Sequence, residues 1–315
     1  MGRDDVIFRI LLFVALSFLI AFLFDVAVLW FGFSVFLWGF SRMWGVALSV
    51  FACLVFFRDE VLASFKMFLG FSKKAVVLYF LAPLIVYGAL GLYVVFASPF
   101  SLFDFGVYVG VIADSLREFL KSASEEQIIS IATTAAYSQI VFAYVAAITI
   151  NAFFALGEEI GWRGYLYTLL GSEPNLKNVV IVGVLWGLWH ASAIILLGHN
   201  YVINRYLGVL LFTLLTTALT YPYLAITRAA GSVLPASSLH GSVNALWGLT
   251  IVASNLPAEQ KEIFLGLGLF GIVTWVVVSV IIYFIKKTLT RRTTTASSGT
   301  ELSFSTEQRN PQPTT

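Results

Sequence analysis

Apolar stretches about as long as a bilayer is thick recur along this chain and constrain its fold more than any other feature. A helix needs about 20 apolar residues to cross the hydrocarbon core. Only 11% of the residues are charged and 59% are hydrophobic, whereas a water-soluble domain carries about 25% charged residues. We therefore predict an all-α polytopic membrane protein with about eight transmembrane helices that enclose a polar cavity. The predicted spans are 6–28, 33–57, 75–97, 130–156, 178–197, 206–228, 232–253 and 263–285.

These spans divide the chain into four parts. Residues 1–128 hold the N-terminal transmembrane helices and a connecting loop, 129–256 form a core, and 257–287 form a C-terminal transmembrane helix. Residues 288–315 are predicted to be a disordered polar tail, because Thr, Ser, Gln and Pro cannot build a packed core. The longest connection, about 98–129, is either an amphipathic helix at the membrane interface or a solvated loop.

The positions of lysine and arginine predict the orientation of the chain. Eight spans would place 14 of the 19 basic residues on the side that carries both termini. Because basic residues concentrate on the cytoplasmic side, both termini are predicted to be cytoplasmic, with Glu158 and Glu159 near the cytoplasmic end of the fourth span. Arg42, inside the second span, indicates either a break there or snorkelling toward an interface.

Composition also excludes some classes of protein. The formal net charge of +2 is too small and too dispersed for nucleic-acid binding. The single cysteine, Cys53, excludes an internal disulfide and lies among apolar neighbours, which predicts a buried structural thiol. The chain is therefore expected to work within the lipid bilayer and not on nucleic acid.

The first of three polar clusters within the apolar chain contains Glu158, Glu159 and Arg163. Glu159 and Arg163 are four residues apart, so on a helix they share a face and can form an ion pair. Glu158 is rotated by about 100° and remains free to act as a general base. A solvated helix end at the membrane surface would explain the same charges, so this cluster alone does not establish a site.

The other two clusters contain two of the three histidines. His190 lies in an apolar span, where a lone histidine often just bonds a neighbouring helix. His240 and Asn244 share one helix face, with Ser237 one turn before them, and burying these groups requires polar partners or water. The third histidine, His199, is placed in a loop without a role.

Two chemistries fit a site built from these residues. A glutamate with a histidine activates water directly, while another histidine and the asparagine donate hydrogen bonds to a developing oxyanion. Alternatively, glutamate and histidine hold Zn²⁺ with a water in its open position. The residues themselves leave both chemistries open.

The three motifs, Glu158-Glu159-x-x-x-Arg163, Trp186-x-x-x-His190 and His240-x-x-x-Asn244, resemble those of the CAAX-protease and bacteriocin-processing family. Its eukaryotic members are the CAAX prenyl proteases of the Rce type. The resemblance covers about 130–253, and it departs from the family only where the usual phenylalanine of the second motif is Trp186.

The resemblance implies an intramembrane endopeptidase that acts near the cytoplasmic membrane face, with 129–256 as the protease core. It assigns the catalytic glutamate to Glu158 and water activation to His190. Glu159 and Arg163 complete the first motif, and His240 and Asn244 form the oxyanion site. In a metalloenzyme, Zn²⁺ would be bound by Glu158, His190 and His240. The substrate is then a membrane-associated protein or peptide, with a prenylated C-terminus as one form. The competing hypotheses are a non-catalytic scaffold or immunity factor of the same fold, and a proton- or ion-coupled transporter.

Overall fold

The computed structural model describes residues 2–32 and 34–307, with side chains as far as Thr288. Every regular element in this part of the chain is helical. Seven of its helical segments are long and apolar enough to cross a membrane, which confirms the predicted all-α polytopic fold. These segments are Arg3–Phe31, Val35–Phe56, Lys73–Phe100, Glu125–Ala147, Leu176–Leu197, Arg205–Ala230 and Ala258–Thr288.

The first two spans form a helical hairpin. Helix α1 (Arg3–Phe31) ends at Gly32, whose φ of 62° lies in the left-handed region that glycine adopts without strain. Helix α2 (Val35–Phe56) runs through Arg42 without a break. The expected break or snorkelling at Arg42 is therefore wrong, because Asp25 of α1 pairs with Arg42 inside the hairpin at 3.0 Å.

One end of the bundle collects most of the exposed basic side chains, and we call it the basic end. Arg9, near the start of α1, pairs there with Asp59 beyond the end of α2. The short helix α3 (Val61–Leu69) follows, and its Phe68 carbonyl accepts a hydrogen bond of 2.9 Å from the backbone N–H of Val233. Basic residues exposed at this end are Arg3, Arg58, Lys66, Lys73, Lys74, Lys177 and Arg228.

The third span and the long connection after it are helical. The span consists of α4 (Lys73–Leu81) and α5 (Pro83–Ala97), with proline in the first turn of α5, where its missing N–H is tolerated. Helix α6 (Phe105–Phe119) packs against α7 (Glu125–Ala147), so most of the 98–129 connection is a helix and not a solvated loop.

The predicted fourth span, 130–156, is not one helix. It breaks at Thr149, in a run of three β-branched residues with low helix propensity, and α8 (Ile150–Glu159) begins after the break. A wider π-helical segment, Ile160–Leu166, then leads into α9 (Tyr167–Leu169). Because these two segments still separate the glutamates from the basic end, Glu158 lies deep in the bundle and not near the predicted end of the span.

The fifth and sixth spans are packed closely by small residues. Helix α10 (Leu176–Trp189) lies against α11 (Arg205–Ala230). Side chains are excluded at Gly183 and Gly187, where an added Cβ would lie 2.5 Å from the Cα atoms of Thr217 and Thr213. This contact fixes the position of the second motif against α11.

The predicted seventh span, 232–253, is not among the seven long apolar helices. It consists of α12 (Leu234–Leu246) and the short α13 (Leu249–Val252). Most of α12 is buried between other helices, so protein surrounds it instead of lipid. Polar residues are tolerated on a helix in this position because other side chains, and not hydrocarbon, meet them.

The chain ends in α14 (Ala258–Phe264) and α15 (Leu269–Glu307). The predicted disordered tail begins at 288, whereas the described helix continues to Glu307. Once a helix is nucleated, each further residue adds a hydrogen bond, and the first proline after Leu269 is Pro311. The rest of the predicted tail, 308–315, lies outside the described residues.

Candidate active site

A cavity of about 380 Å³ lies among α2, α8, α10, α11 and α12. Four of the six predicted site residues line it: Glu158, His190, His240 and Asn244. Glu159 and Arg163 are buried behind its wall. The structure thus brings the three sequence motifs together at one place.

Helix α8 is pressed against α2 at the residue before the two glutamates. A Cβ built at Gly157 would lie 2.8 Å from the carbonyl oxygen of Met43 and 2.8 Å from the Cα of Trp44. Only glycine permits this approach, which places Glu158 between α2 and α10. The glycine beside the two glutamates thus allows close packing of α8 against α2.

Glu158 is the carboxylate of the cavity wall. Its Oε2 accepts a hydrogen bond of 2.6 Å from the indole Nε1–H of Trp186, while Oε1 has no partner among the described residues. The side chain is almost fully buried, at 2% exposure. One oxygen is thus fixed and the other is left available to a molecule in the cavity.

Glu159, unlike Glu158, is bound to two charged or polar side chains through the same oxygen. Its Oε1 accepts a hydrogen bond of 3.1 Å from Arg163 Nη1, which is the ion pair that the four-residue spacing predicts. The same oxygen lies 2.8 Å from Nδ1 of His240. Glu159 therefore holds an arginine and a histidine in place, and Glu158 remains separate, as the helical geometry indicates.

Arg163 is packed between two aromatic rings. Its guanidinium carbon lies 4.0 Å from the ring centre of Trp186 and 4.4 Å from that of Tyr223. Such cation–π contacts stabilise a desolvated guanidinium. Arg163 Nε and Nη2, Glu159 Oε2 and the Tyr223 hydroxyl have no hydrogen-bond partner among the described residues.

The tautomer of His190 follows from its partner. Its Nδ1 lies 2.8 Å from the backbone carbonyl of Trp186. A carbonyl oxygen can only accept, so Nδ1 carries the proton and Nε2 of the neutral ring is an acceptor. Because His190 lines the cavity, this nitrogen is available to a water or a substrate N–H.

The third motif contributes side chains at two depths. His240 lies in the deep part of the wall beside Glu159, whereas Asn244, one turn later, is exposed and has no side-chain hydrogen bond in the described part of the chain. The Ser237 hydroxyl donates a hydrogen bond to the Leu234 carbonyl at 2.7 Å and is not a hydrogen-bond partner of His240 or Asn244. Asn244 therefore retains both amide donors for a bound molecule.

The candidate zinc ligands do not fit a metal centre as they are arranged. Within the described residues, no three His, Cys, Asp or Glu side chains converge closely enough to hold a metal ion. Glu158, His190 and His240 all line the cavity, and their partners, the indole of Trp186, the Trp186 carbonyl and the Glu159 carboxylate, each leave one ligand atom free. It is their separation from one another, and not these partners, that does not fit a metal ion. We therefore derive the chemistry from these side chains alone.

Sequence analysis missed three wall residues: Trp38, Arg42 and His199. His199 was assigned to a loop without a role, yet it lines the cavity and contacts the Trp38 ring at 5.2 Å between centroids. A signal for Arg42 was present, because it and Asp25 are lone charges at similar distances on either side of the α1–α2 turn. Opposite charges placed in this way on a helical hairpin would meet.

The exposed lining residues of the cavity lie at the end of the bundle opposite the basic end, and we call this part of the lining the mouth. It consists of Asn200 between α10 and α11, Asn244, and Gly248 beyond α12. These helices have their other ends at the basic end. The deepest wall residues, Glu158 and His240, are separated from the basic end by Arg163 and Tyr223.

Comparison with protein families agrees with this geometry. Residues 136–246 match the family described as type II CAAX prenyl endopeptidase Rce1-like. The matched segment contains all six predicted site residues, so this match supports the resemblance of the three motifs to the CAAX-protease family. Comparisons with curated proteins and with solved structures found no match. The protein is thus a polytopic membrane protein in which residues 136–246 match the Rce1-like family model.

Trp186 stands where the family usually has phenylalanine, and this difference supplies a testable prediction. Trp186→Phe keeps an aromatic ring but removes the N–H that holds Glu158. A hydrogen bond to a charged group contributes about 1.5–3 kcal/mol, so we expect kcat to fall roughly 10- to 100-fold with little change in KM. The control is Trp44→Phe, which removes an indole bond to the Phe153 carbonyl outside the cavity. Equal kcat values for the two variants would exclude the role of Trp186.

Proposed function

We propose that this protein is an intramembrane endopeptidase in which Glu158 activates a water molecule against a peptide bond held in the cavity. The observation that carries the proposal is the position of Glu158: it is buried, lines the cavity and keeps Oε1 unoccupied by any described side chain. A carboxylate fixed in this way can act as a general base for a water molecule in the cavity.

The proposed reaction needs only side chains of this chain. Glu158 Oε1 accepts a proton from water, whose oxygen bonds to the carbonyl carbon and converts the carbonyl oxygen to an oxyanion. His190 Nε2 accepts a hydrogen bond from the remaining O–H of this water and orients the attack. When the oxyanion re-forms the C=O bond, the C–N bond breaks and its electron pair goes to nitrogen, which takes the proton from Glu158, so that a carboxylic acid and an amine are formed.

The third motif is proposed to stabilise the oxyanion. Asn244 offers amide donors at the mouth side of the cavity, and preorganised donors of this kind are worth about 2.7–4 kcal/mol in other hydrolases. His240 Nδ1–H donates a hydrogen bond to Glu159, which fixes the His240 ring in the cavity wall one turn before Asn244. Glu159 and Arg163 act by positioning His240 and do not contact the peptide.

Purified protein in detergent tests the proposal by mass-spectrometric detection of cleavage. The substrates are farnesylated C-terminal peptides and unmodified segments of membrane proteins, each with and without a chelator. We expect cleavage that survives the chelator, because the candidate ligands do not converge on a metal position. Loss of activity with the chelator would assign a zinc-assisted mechanism. Failure of folded protein to cleave any substrate would favour the scaffold or transporter alternatives.

We further propose that the active site is reached from the non-cytoplasmic side of the membrane. Because basic residues concentrate on the cytoplasmic side, we place the basic end and both termini in the cytoplasm. The cavity mouth lies at the other end. This proposal replaces the sequence-based expectation of hydrolysis near the cytoplasmic face.

Cysteine labelling in intact cells tests this orientation. The chain has one cysteine, which is buried, so Cys53→Ala provides a cysteine-free background. We expect Asn200→Cys, at the mouth, to react with a membrane-impermeant maleimide in intact cells, and Lys66→Cys, at the basic end, to react only after permeabilisation. The reverse pattern would place the mouth in the cytoplasm and make prenylated cytoplasmic proteins accessible to it.

A further inference from the structure

A second buried ion pair adjoins the cavity, in a part of the chain that the family match does not include. Arg42 Nε donates to Asp25 Oδ1 at 3.0 Å, and the two side chains are 4% and 0% exposed. A buried ion pair is weak evidence for stability, because desolvation can cost as much as the attraction returns. Arg42 also lines the cavity, where its guanidinium can contact a bound molecule.

Asp25 is fully occupied in holding this arginine. Its Oδ1 also accepts from the indole N–H of Trp38 at 2.9 Å, and its Oδ2 accepts from the Ser192 hydroxyl at 2.6 Å. The carboxylate thus ties α1 to α2 and to the segment after His190. It compensates the charge of Arg42 from the side away from the cavity.

The guanidinium of Arg42 is held in one position, but only some of its N–H donors have hydrogen-bond partners. Its Nη2 donates to the Trp189 carbonyl at 2.6 Å, and its carbon lies 3.8 Å from the ring centre of Trp189. Nη1 has no partner in the described part of the chain. Glu158, the other charged group of the wall, interacts electrostatically with Arg42, although no hydrogen bond joins the two side chains. Since a guanidinium has five N–H donors, three remain, on the Nη1 and Nη2 edge.

We propose that Arg42 binds a carboxylate group of the peptide substrate and thereby determines which peptides are held beside Glu158. A guanidinium edge with free N–H groups matches a carboxylate in a bidentate geometry, and the stacking on Trp189 fixes its plane in advance. The carboxylate is either the free end of the peptide or an Asp or Glu side chain. This role rests on the proposed peptidase function, and Arg42 takes no part in the bond-breaking step.

Binding is measured on the full chain carrying Glu158→Gln, so that the probe is not consumed. The probe is an alternating Ala-Leu peptide with an uncharged fluorescent label, in three forms: free C-terminal carboxylate, C-terminal amide, and amide with one Glu near the end. We expect the free carboxylate to bind about tenfold or more tightly than the plain amide, as hydrogen bonds to charged groups imply. The Glu-containing amide identifies the source: tight binding means that a side chain suffices, and weak binding means that the chain end is required.

The matched variant is Asp25→Asn combined with Arg42→Gln, which removes the charged edge without leaving an unpaired buried charge. It should bind all three forms with equal affinity. Equal affinities of the three forms for protein with Arg42 intact would overturn the proposal, and so would discrimination that persists in the double variant. The comparison of the three peptide forms on protein with Arg42 intact does not depend on the double variant. It therefore tests the proposal even if the double variant misfolds.

The same peptides separate this inference from the proposed function. Hydrolysis of acid and amide by the wild type with equal kcat/KM would exclude the role of Arg42 and leave the peptidase intact. Tight binding of the acid without hydrolysis of any peptide would support the carboxylate site and count against the peptidase.

Discussion

Glu158→Gln is expected to reduce peptide hydrolysis by roughly 10²- to 10⁴-fold, the contribution typical of a positioned general base. Glutamine has nearly the same shape, so it can still accept the Trp186 hydrogen bond through its amide oxygen, but it cannot take a proton from water. The variant should therefore fold and bind peptide as the wild type does. The measurement is the initial cleavage rate on reconstituted protein.

The control for this variant is Glu118→Gln, which removes a carboxylate that is exposed and lies outside the cavity. Its cleavage rate should equal that of the wild type. If Glu158→Gln protein retained full activity, Glu158 would not be the base and the proposed mechanism would be wrong. A loss of activity accompanied by a large drop in thermal stability would instead indicate a structural role.

Arg163→Ala is expected to lower the free energy of unfolding by about 3–5 kcal/mol, because it leaves Glu159 as an unpaired buried charge. It also opens a space between the rings of Trp186 and Tyr223. Activity should fall as well, since Glu159 would no longer hold His240 in one position. Thermal unfolding in detergent, followed by cleavage assays below the transition, measures both effects.

The comparison for Arg163 is Arg228→Ala, which breaks a bridge to Glu173 between side chains that are 53% and 57% exposed. Exposed ion pairs contribute only about 0–1 kcal/mol, so this variant should be almost as stable as the wild type. Arg163→Ala protein that unfolded at the temperature of Arg228→Ala protein would contradict the buried-pair argument.

The features that could be predicted from the sequence are those that depend only on the geometry within a single helix. The Glu159–Arg163 pair follows from a four-residue spacing, and the separate direction of Glu158 follows from the 100° rotation per residue. The span count was also close, because the length of an apolar run is read directly from the chain. Such relations need no knowledge of which helices are neighbours.

The features that were missed depend on packing between helices. The hydrogen bond from Trp186 to Glu158 joins residues 28 positions apart, and the sequence gives no sign of it. The burial of α12 and the break at Thr149 likewise depend on how the other helices surround these segments. The depth of Glu158 in the bundle likewise follows from the break at Thr149 and from the π-helical segment after Glu159.

The contribution of α2 to the cavity wall has a consequence for the smallest working unit of this protein. A chain cut down to 136–246 would keep every motif residue, but it would lose Trp38, Gly39, Arg42 and Met43 from the wall. It would also lose the backbone surface that Gly157 packs against. The family match thus marks where the three motifs lie, whereas the complete cavity wall extends back to the first helical hairpin.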